Sequence, residues 1–287
     1  MIIGAGGPID IHRASGGEFG PSMTSVLDRW DSFQSWCEAA TPAAAVEPVL
    51  DSEPQLGPPV CEPRQIFAVG LNYADHAIEA KLATPTSPLI FAKFPSSLCG
   101  PDEEVELPEG NVDWEIELVV VIGVTGYRIP LERALDHVAG VMIGQDLSER
   151  KGQMRGAPAQ FSLAKSHRRF APTGPYFVTL DEAGPLDSLR LESSLNGEVV
   201  QSGTTAELIF SVPEIVAHIS QTATLMPGDL IFTGTPAGVG MGRTPPRFLS
   251  AGDVLVSKIE RLGEMTQRFV SRSNEFASQV DSAAAPA

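Results

Sequence analysis

The chain reads as an α+β fold that is mostly sheet, and three observations point there. Seven short segments rich in β-branched and aromatic residues are bounded by glycine or proline: "RQIFAVG", "PLIFAKF", "IELVVVIGV", "VAGVMIGQ", "PYFVTL", "GDLIFTG" and "DVLVSKI". Such runs between turn residues are strands. One helix is strongly marked by its capping residues. The strands do not alternate with helices as a Rossmann-type βαβ repeat requires, and the sequence contains no internal repeat.

Residues 1–63 differ in composition from the rest of the chain and are read as a small N-terminal domain. There "SVLDRWDSFQSWCEAA" places Val26, Leu27, Trp30 and Phe33 on one side of an amphipathic helix, and a linker rich in Ala, Pro and Glu comes after it. Residues 64–273 form the main body. Residues 274–287 are expected to be a frayed tail. Within the body, Asn196-Gly197 between two alternating segments signals a hairpin, and a second is expected around Gly263. Ser211 and Glu214 form a capping box with Pro213 in the first turn. Val212, Ile215, Val216 and Ile219 then share one helical face.

At 287 residues, 43% apolar and 20% charged, the chain resembles an ordinary soluble globular protein with a sizeable core. No apolar run is long enough to cross a bilayer, and no basic-then-apolar leader opens the sequence, so a cytoplasmic location is expected. Cys37, Cys61 and Cys99 cannot all pair and lie in no CxxC spacing, which suits a reducing compartment and offers no zinc framework. A net charge of −16 with no long basic block excludes nucleic acid as a partner. The one conspicuous basic cluster is His167-Arg168-Arg169, near Lys165.

The stretch "DWEIELVVVIG" (113–123) carries the main chemical clue. In an extended strand Asp113, Glu115 and Glu117 fall on one face, about 7 Å apart, and run into residues that imply burial. Repelling carboxylates held this way call for a cation. "VMIGQDLSER" supplies a further oxygen ligand where an apolar strand stops at Asp146. Glu115, Glu117 and Asp146 suit Mg²⁺ or Mn²⁺, hard ions that take oxygen ligands and keep open positions; without Cys and with few His nearby, zinc fits less well. Alone, alternating glutamates are ordinarily the solvated face of a strand.

Their company changes that. "GLNYADHAIEA" spaces His76 and Glu79 three apart, so one helical turn places them together. A carboxylate beside an imidazole orients it as a general base.

Seven ordered blocks then resemble the fumarylacetoacetate hydrolase family over about residues 64–270: "VGLNYADHAIEA", "FAKFPSS", "VDWEIELVVVIG", "GQDLSER", "LAKSHRRFAPTGP", "LNGEVVQSGTTAELIFSVPEIVAHIS" and "MPGDLIFTGTPAGVG". The resemblance implies a mixed β-sheet roll or sandwich behind a small variable N-terminal domain, and a homodimer. It implies a site for Mg²⁺, Mn²⁺ or Ca²⁺ and a 2-oxo or 2,4-dioxo acid substrate. It makes Glu115, Glu117 and Asp146 the metal ligands and His76 and Glu79 the catalytic pair, with Lys165 as the active-site lysine. Arg150, Gln153 and Thr235 match positions that hold the substrate's polar groups. The chain departs from the family pattern at Gln145 and Glu149, where Asn and Ala are commoner, and at His167-Arg168-Arg169.

The implied reaction is hydrolysis of a C–C bond in an acylpyruvate-type acid, with His76 and Glu79 activating water and a metal-stabilised enolate leaving. Oxaloacetate decarboxylation and tautomerisation of a 2-hydroxy-dienoate use the same residues; a relative without catalysis is a third alternative. Residues 72–84 lack a core pattern and are expected to form a lid. Arg168 or Arg169 is expected to meet a distal anionic group of the substrate.

Overall fold

The run Leu118–Ile122 is apolar at every position because the strand that contains it is covered on both faces. The computed structural model describes residues 2–4, 7–39, 56–79 and 83–272. The linker over 40–55, the tail expected over 274–287 and residues 80–82 of the expected lid lie outside the described residues. Strand Ile116–Ile122 is buried throughout. Ile116, Leu118, Val120 and Ile122 enter one core, while Val119 and Val121 enter another, the two-residue alternation of a strand.

This strand sits inside a seven-stranded mixed sheet. The order across it is Leu89–Ala92, Ile66–Gly70, Leu230–Phe232, Ile116–Ile122, Val138–Gln145, Ala171–Thr179 and Leu98–Cys99. Leu230–Phe232 pairs parallel with Ile66–Gly70, and Ala171–Thr179 pairs parallel with Leu98–Cys99; the remaining neighbours are antiparallel. A five-stranded sheet carries Glu198–Thr204, Arg190–Leu195, Val254–Ile259, Gly263–Ser271 and Glu104–Leu107. Both expected hairpins lie in it. Asn196 and Gly197 take φ of 53° and 83°, the left-handed pair that a two-residue hairpin turn requires.

Helix Val212–Ser220 buries Val212, Ile215, Val216 and Ile219 against the first core. Its start is held by Glu214, whose Oε2 accepts the Ser211 amide at 2.7 Å. Each such aliphatic side chain stabilises the fold by about 1.5–3 kcal/mol through burial.

The N-terminal segment differs from expectation in one respect: two helices replace one. Met23–Leu27 and Trp30–Ala39 are separated by a turn at Asp28 and Arg29. Asp28 pairs with Arg64 at 2.9 Å and Arg29 with Glu18 at 3.1 Å, so both charges are tied outward. Val26, Leu27, Trp30 and Phe33 all point inward nonetheless, into a core shared with Ala68, Val119, Met142 and Phe232 of the large sheet. Trp30 meets Phe177 edge-on with ring centroids 5.6 Å apart.

A second difference bears on the site. Asp113, Glu115 and Glu117 do not lie on one unbroken strand. Val112–Asp113 pairs with Ser148–Glu149, and the large sheet begins only at Ile116. Between them three successive amides leave the ladder and are met by side chains: Trp114 N–H by Asp113 Oδ1 (2.8 Å), Glu115 N–H by Gln145 Oε1 (2.9 Å) and Ile116 N–H by Gln201 Oε1 (3.0 Å). Trp114 is fully buried at this break and donates its indole N–H to the Gly238 carbonyl at 3.1 Å. Asp113 is thereby not among the converging carboxylates; it meets Arg150, which it shares with Glu115.

Candidate metal centre and active site

Antiparallel pairing of Ile116 with Gln145 brings the start of one strand beside the end of the next. Glu115 and Glu117 therefore face Asp146, and ligand oxygens of the three lie within 4.8 Å of one another, all buried. Two charges at that spacing repel by roughly 3 kcal/mol at an effective dielectric of about 20. The repulsion must be answered locally.

Three buried cations answer most of it. Lys165 Nζ bridges Glu115 Oε2 at 2.7 Å and Asp146 Oδ2 at 2.6 Å. Lys93 Nζ donates to Asp146 Oδ1 at 2.7 Å and to the Lys165 carbonyl. Arg150 Nη1 lies 2.7 Å from Glu115 Oε1, and its Nε donates to Asp113 Oδ2 at 2.9 Å. Burial lowers both lysines, but Asp146 and Glu115 together outweigh it for Lys165 and hold that ammonium above its ordinary value. Lys93 has Asp146 as its main acidic partner and Lys165 as a competitor, so burial wins and its pKa falls.

Asp113, Glu115, Glu117 and Asp146 face Lys93, Arg150 and Lys165: four carboxylates against three cations. Glu115 is well neutralised. Burial would raise it, yet Lys165, Arg150 and His76 pull it down to about 2. Glu117 has no lysine or arginine in ion-pair contact among the described residues. Its Oε2 accepts the Gly234 amide at 2.6 Å, while burial and then Asp146 and Glu115 push it well above the usual carboxylate range. A buried oxygen cluster whose carboxylates outnumber its cations, with Glu117 the member that has no cationic partner in ion-pair contact among the described residues, suits a hard divalent cation.

His76 and Glu79 lie on helix Ala74–Glu79, with His76 Nδ1 3.3 Å from Glu79 Oε2. The Glu79 carboxylate also accepts the Gly238 amide at 3.1 Å. Thr235, on the same loop, is buried, and its Oγ1 accepts from Gln201 Nε2 at 2.8 Å. Arg150 Nη1 also donates to Gln153 Oε1 at 2.9 Å, so Gln153 is linked to the acidic cluster through Arg150.

Both departures in the "GQDLSER" block acquire physical roles. Gln145 fills the Glu115 amide and donates to Ser257 Oγ at 2.8 Å. Glu149 caps helix Arg150–Gln153 by accepting the Lys151 and Gly152 amides at 2.9 and 2.6 Å. In the basic cluster, Arg169 is tied to Glu103 at 2.9 Å and to the Glu104 carbonyl at 2.7 Å. His167 lies against Phe170 with the rings tilted, burial lowers its pKa, and Arg168 is exposed.

Sequence reasoning passed over Lys93, Gln201 and the part played by Asp113, and met Gln145 only as a departure from the family pattern. Lys93 is visible as a lone charge closing an apolar, β-rich run. The task of the two glutamines has no sequence signal, because it arises only from the strand break.

The profile described as fumarylacetoacetate (FAA) hydrolase C-terminal matches residues 65–270. A Mycobacterium smegmatis crystal structure under the designation HpcE is 50% identical, with a TM-score of 0.90, over 95% of this chain and 96% of that one. Human mitochondrial oxaloacetate tautomerase FAHD2A is 42% identical over 252 residues, 87% of this chain and 80% of the relative. The crystal structure of fumarylpyruvate hydrolase from Pseudomonas aeruginosa, in complex with Mn²⁺ and pyruvate, is 33% identical with a TM-score of 0.68, over 77% of this chain and 94% of that one.

Proposed function

The chain belongs to the fumarylacetoacetate hydrolase family, and from that premise we propose that it is a divalent-metal-dependent hydrolase cleaving a C–C bond in a 2,4-dioxo acid of the acylpyruvate or fumarylpyruvate type. One observation supports this most. Gly234 donates to Glu117 and Gly238 donates to Glu79, so a single loop holds the carboxylate triad and the His76–Glu79 pair four residues apart.

Glu115, Glu117 and Asp146 would hold the ion, Mg²⁺ or Mn²⁺ with Ca²⁺ as a third choice, which supplies Lewis acidity and a template for a chelating 2-oxo acid. His76, oriented through Nδ1 by Glu79, takes a proton from the water that attacks the carbonyl distal to the acid group. Collapse of the adduct breaks the C–C bond, and the electron pair leaves on the 2-oxo acid fragment as its enolate, which is then protonated. The Lys165 ammonium, between Glu115 and Asp146, places positive charge where that negative charge develops. Arg150, Gln153 and Thr235 are assigned to the substrate's polar atoms on the match of their segments to the family.

We assign catalysis to residues 64–273. Residues 72–84 are assigned to a lid, of which Ile78 is 76% exposed while Asn72, Tyr73, His76 and Ala77 are buried. A cytoplasmic location is consistent with free Cys37, Cys61 and Cys99. No helix among the described residues is long and apolar enough to cross a membrane. Homodimerisation is carried over from the family.

The test strips the protein with EDTA, reloads Mg²⁺ or Mn²⁺, and offers acetylpyruvate, fumarylpyruvate and oxaloacetate with products resolved. Pyruvate with acetate or fumarate supports the hydrolase. The name of the human relative favours a second reading, oxaloacetate tautomerisation. Keto–enol interconversion without cleavage would establish that instead, and CO₂ with pyruvate would mark a decarboxylase. Metal binding with no turnover of any of them would indicate a relative without catalysis.

A further inference from the structure

One buried carboxylate belongs to neither the ion-binding triad nor the histidine pair, yet it touches the supports of both. Asp113 is fully buried. Its Oδ2 faces Arg150, with Nε at 2.9 Å and Nη2 at 2.8 Å, and Arg150 in turn reaches Glu115 Oε1 at 2.7 Å. Its Oδ1 accepts the Gly240 amide at 2.6 Å, and Oδ2 accepts the Met241 amide at 3.0 Å. Those amides lie in the turn around Gly240–Gly242, the same turn that supports Glu79. Gly238 donates to the Glu79 carboxylate at 3.1 Å. A Cβ on Gly242 would lie 2.3 Å from Glu79 Cγ, so that glycine packs directly on the Glu79 side chain.

We propose that Asp113 is a positioning residue that fixes the metal-binding half and the water-activating half of the site relative to each other. It acts through Arg150 on Glu115, and through the 238–242 turn on Glu79 and hence His76. This rests on the proposed roles of His76 and Glu79. A residue buried only to complete the fold would need partners on one side. Asp113 has charged and amide partners on two, each leading to a different functional group. Its own charge also keeps Arg150 from pairing with Glu115 alone, where the guanidinium would compete fully with a cation for that carboxylate.

The test is Asp113→Asn, nearly isosteric, studied well below its measured unfolding midpoint. Mn²⁺ titration of the substrate-free protein should show affinity at least five-fold weaker. On the keto acid that the wild-type protein turns over, kcat should fall at least ten-fold while KM changes less than three-fold. At saturating Mn²⁺, where the Arg150 arm no longer limits loading, adding Asp113→Asn to Glu79→Gln should lower kcat less than three-fold further, because the pair it positions is already broken. Gly240→Ala separates the two arms, since its Cβ would lie 2.8 Å from Asp113 Oδ1 and 1.9 Å from the Arg247 carbonyl and so must displace the turn. That variant should lower kcat while leaving Mn²⁺ affinity within two-fold, and it serves on its own if Asp113→Asn does not fold.

Unchanged Mn²⁺ affinity and kcat in Asp113→Asn, with only a lowered midpoint, would overturn the proposal. So would multiplicative losses in the double variant, or full activity in Gly240→Ala. A wild-type protein that binds Mn²⁺ but turns over no keto acid defeats the proposed function instead, and the Mn²⁺ titration of Asp113→Asn still decides the Arg150 arm.

Discussion

Gly234 donates its amide to Glu117 at 2.6 Å, while Glu115, two residues earlier, is paired with both Lys165 and Arg150. The two glutamates therefore answer the same substitution in opposite ways. In metal-free protein at pH 8, Glu115→Gln leaves two buried cations short of a partner and should cost about 3 kcal/mol. Glu117→Gln removes a buried carboxylate with no cationic partner and should leave stability unchanged or raised. Urea unfolding of both variants checks this; equal losses would show that Glu117 is neutralised after all. Both should bind Mn²⁺ at least ten-fold more weakly.

Metal binding should strengthen as pH rises. Glu117 is held well above the ordinary 4.5 by burial and by its acidic neighbours, so it keeps its proton to higher pH than an exposed carboxyl, and a cation competes with that proton. A carboxyl raised in the folded state stabilises the fold at low pH, and that contribution is lost as pH climbs from 4.5 through the raised value. Across that window the metal-free protein should lose stability while the gain from added Mn²⁺ grows. Thermal unfolding with and without Mn²⁺ over a pH series measures both trends. A gain independent of pH would contradict the assignment of Glu117 as a ligand whose proton competes with the ion.

His76→Ala should reduce kcat at least a hundred-fold, the scale of general-base catalysis, and leave Mn²⁺ affinity within about two-fold. Steady-state kinetics and calorimetric titration separate the two effects. A parallel loss of metal binding would place the imidazole among the ligands.

Much of the fold was legible in the residue pattern alone. The strands that read as β-rich runs between glycine and proline formed, because strongly patterned local sequence and tertiary burial agree there. The Ser211–Glu214 cap and the Asn196-Gly197 hairpin formed for the same reason. His76 and Glu79 met because one helical turn is a local constraint. The strand break at Trp114–Glu115 was not legible. It depends on Gln145 and Gln201, which are 30 and 85 positions away from the amides they accept. Alternation alone placed Asp113 with the triad; long-range side-chain bonding turned it towards Arg150. The turn between the Met23–Leu27 and Trp30–Ala39 helices was not legible either; there Asp28 meets Arg64, 36 positions away.

Asn72 offers a test of how the histidine helix is anchored. Its Nδ2 donates to the Thr233 and Phe210 carbonyls at 2.8 and 3.0 Å, and its Oδ1 accepts the Phe210 amide at 2.8 Å. Asn72→Ala should destabilise the protein by about 3 kcal/mol, since it leaves buried backbone groups unpaired. Urea unfolding reads the loss, and a change below about 1 kcal/mol would mean that other contacts hold this turn.

The most direct measurement is a crystal structure of the protein soaked with Mn²⁺, with the ion located by its anomalous scattering. One peak per chain is predicted, within about 2.0–2.3 Å of carboxylate oxygens from Glu115, Glu117 and Asp146 together. A fully occupied peak elsewhere, or no peak at saturating Mn²⁺ with Glu115 and Asp146 still paired to Lys93, Arg150 and Lys165, would contradict the account.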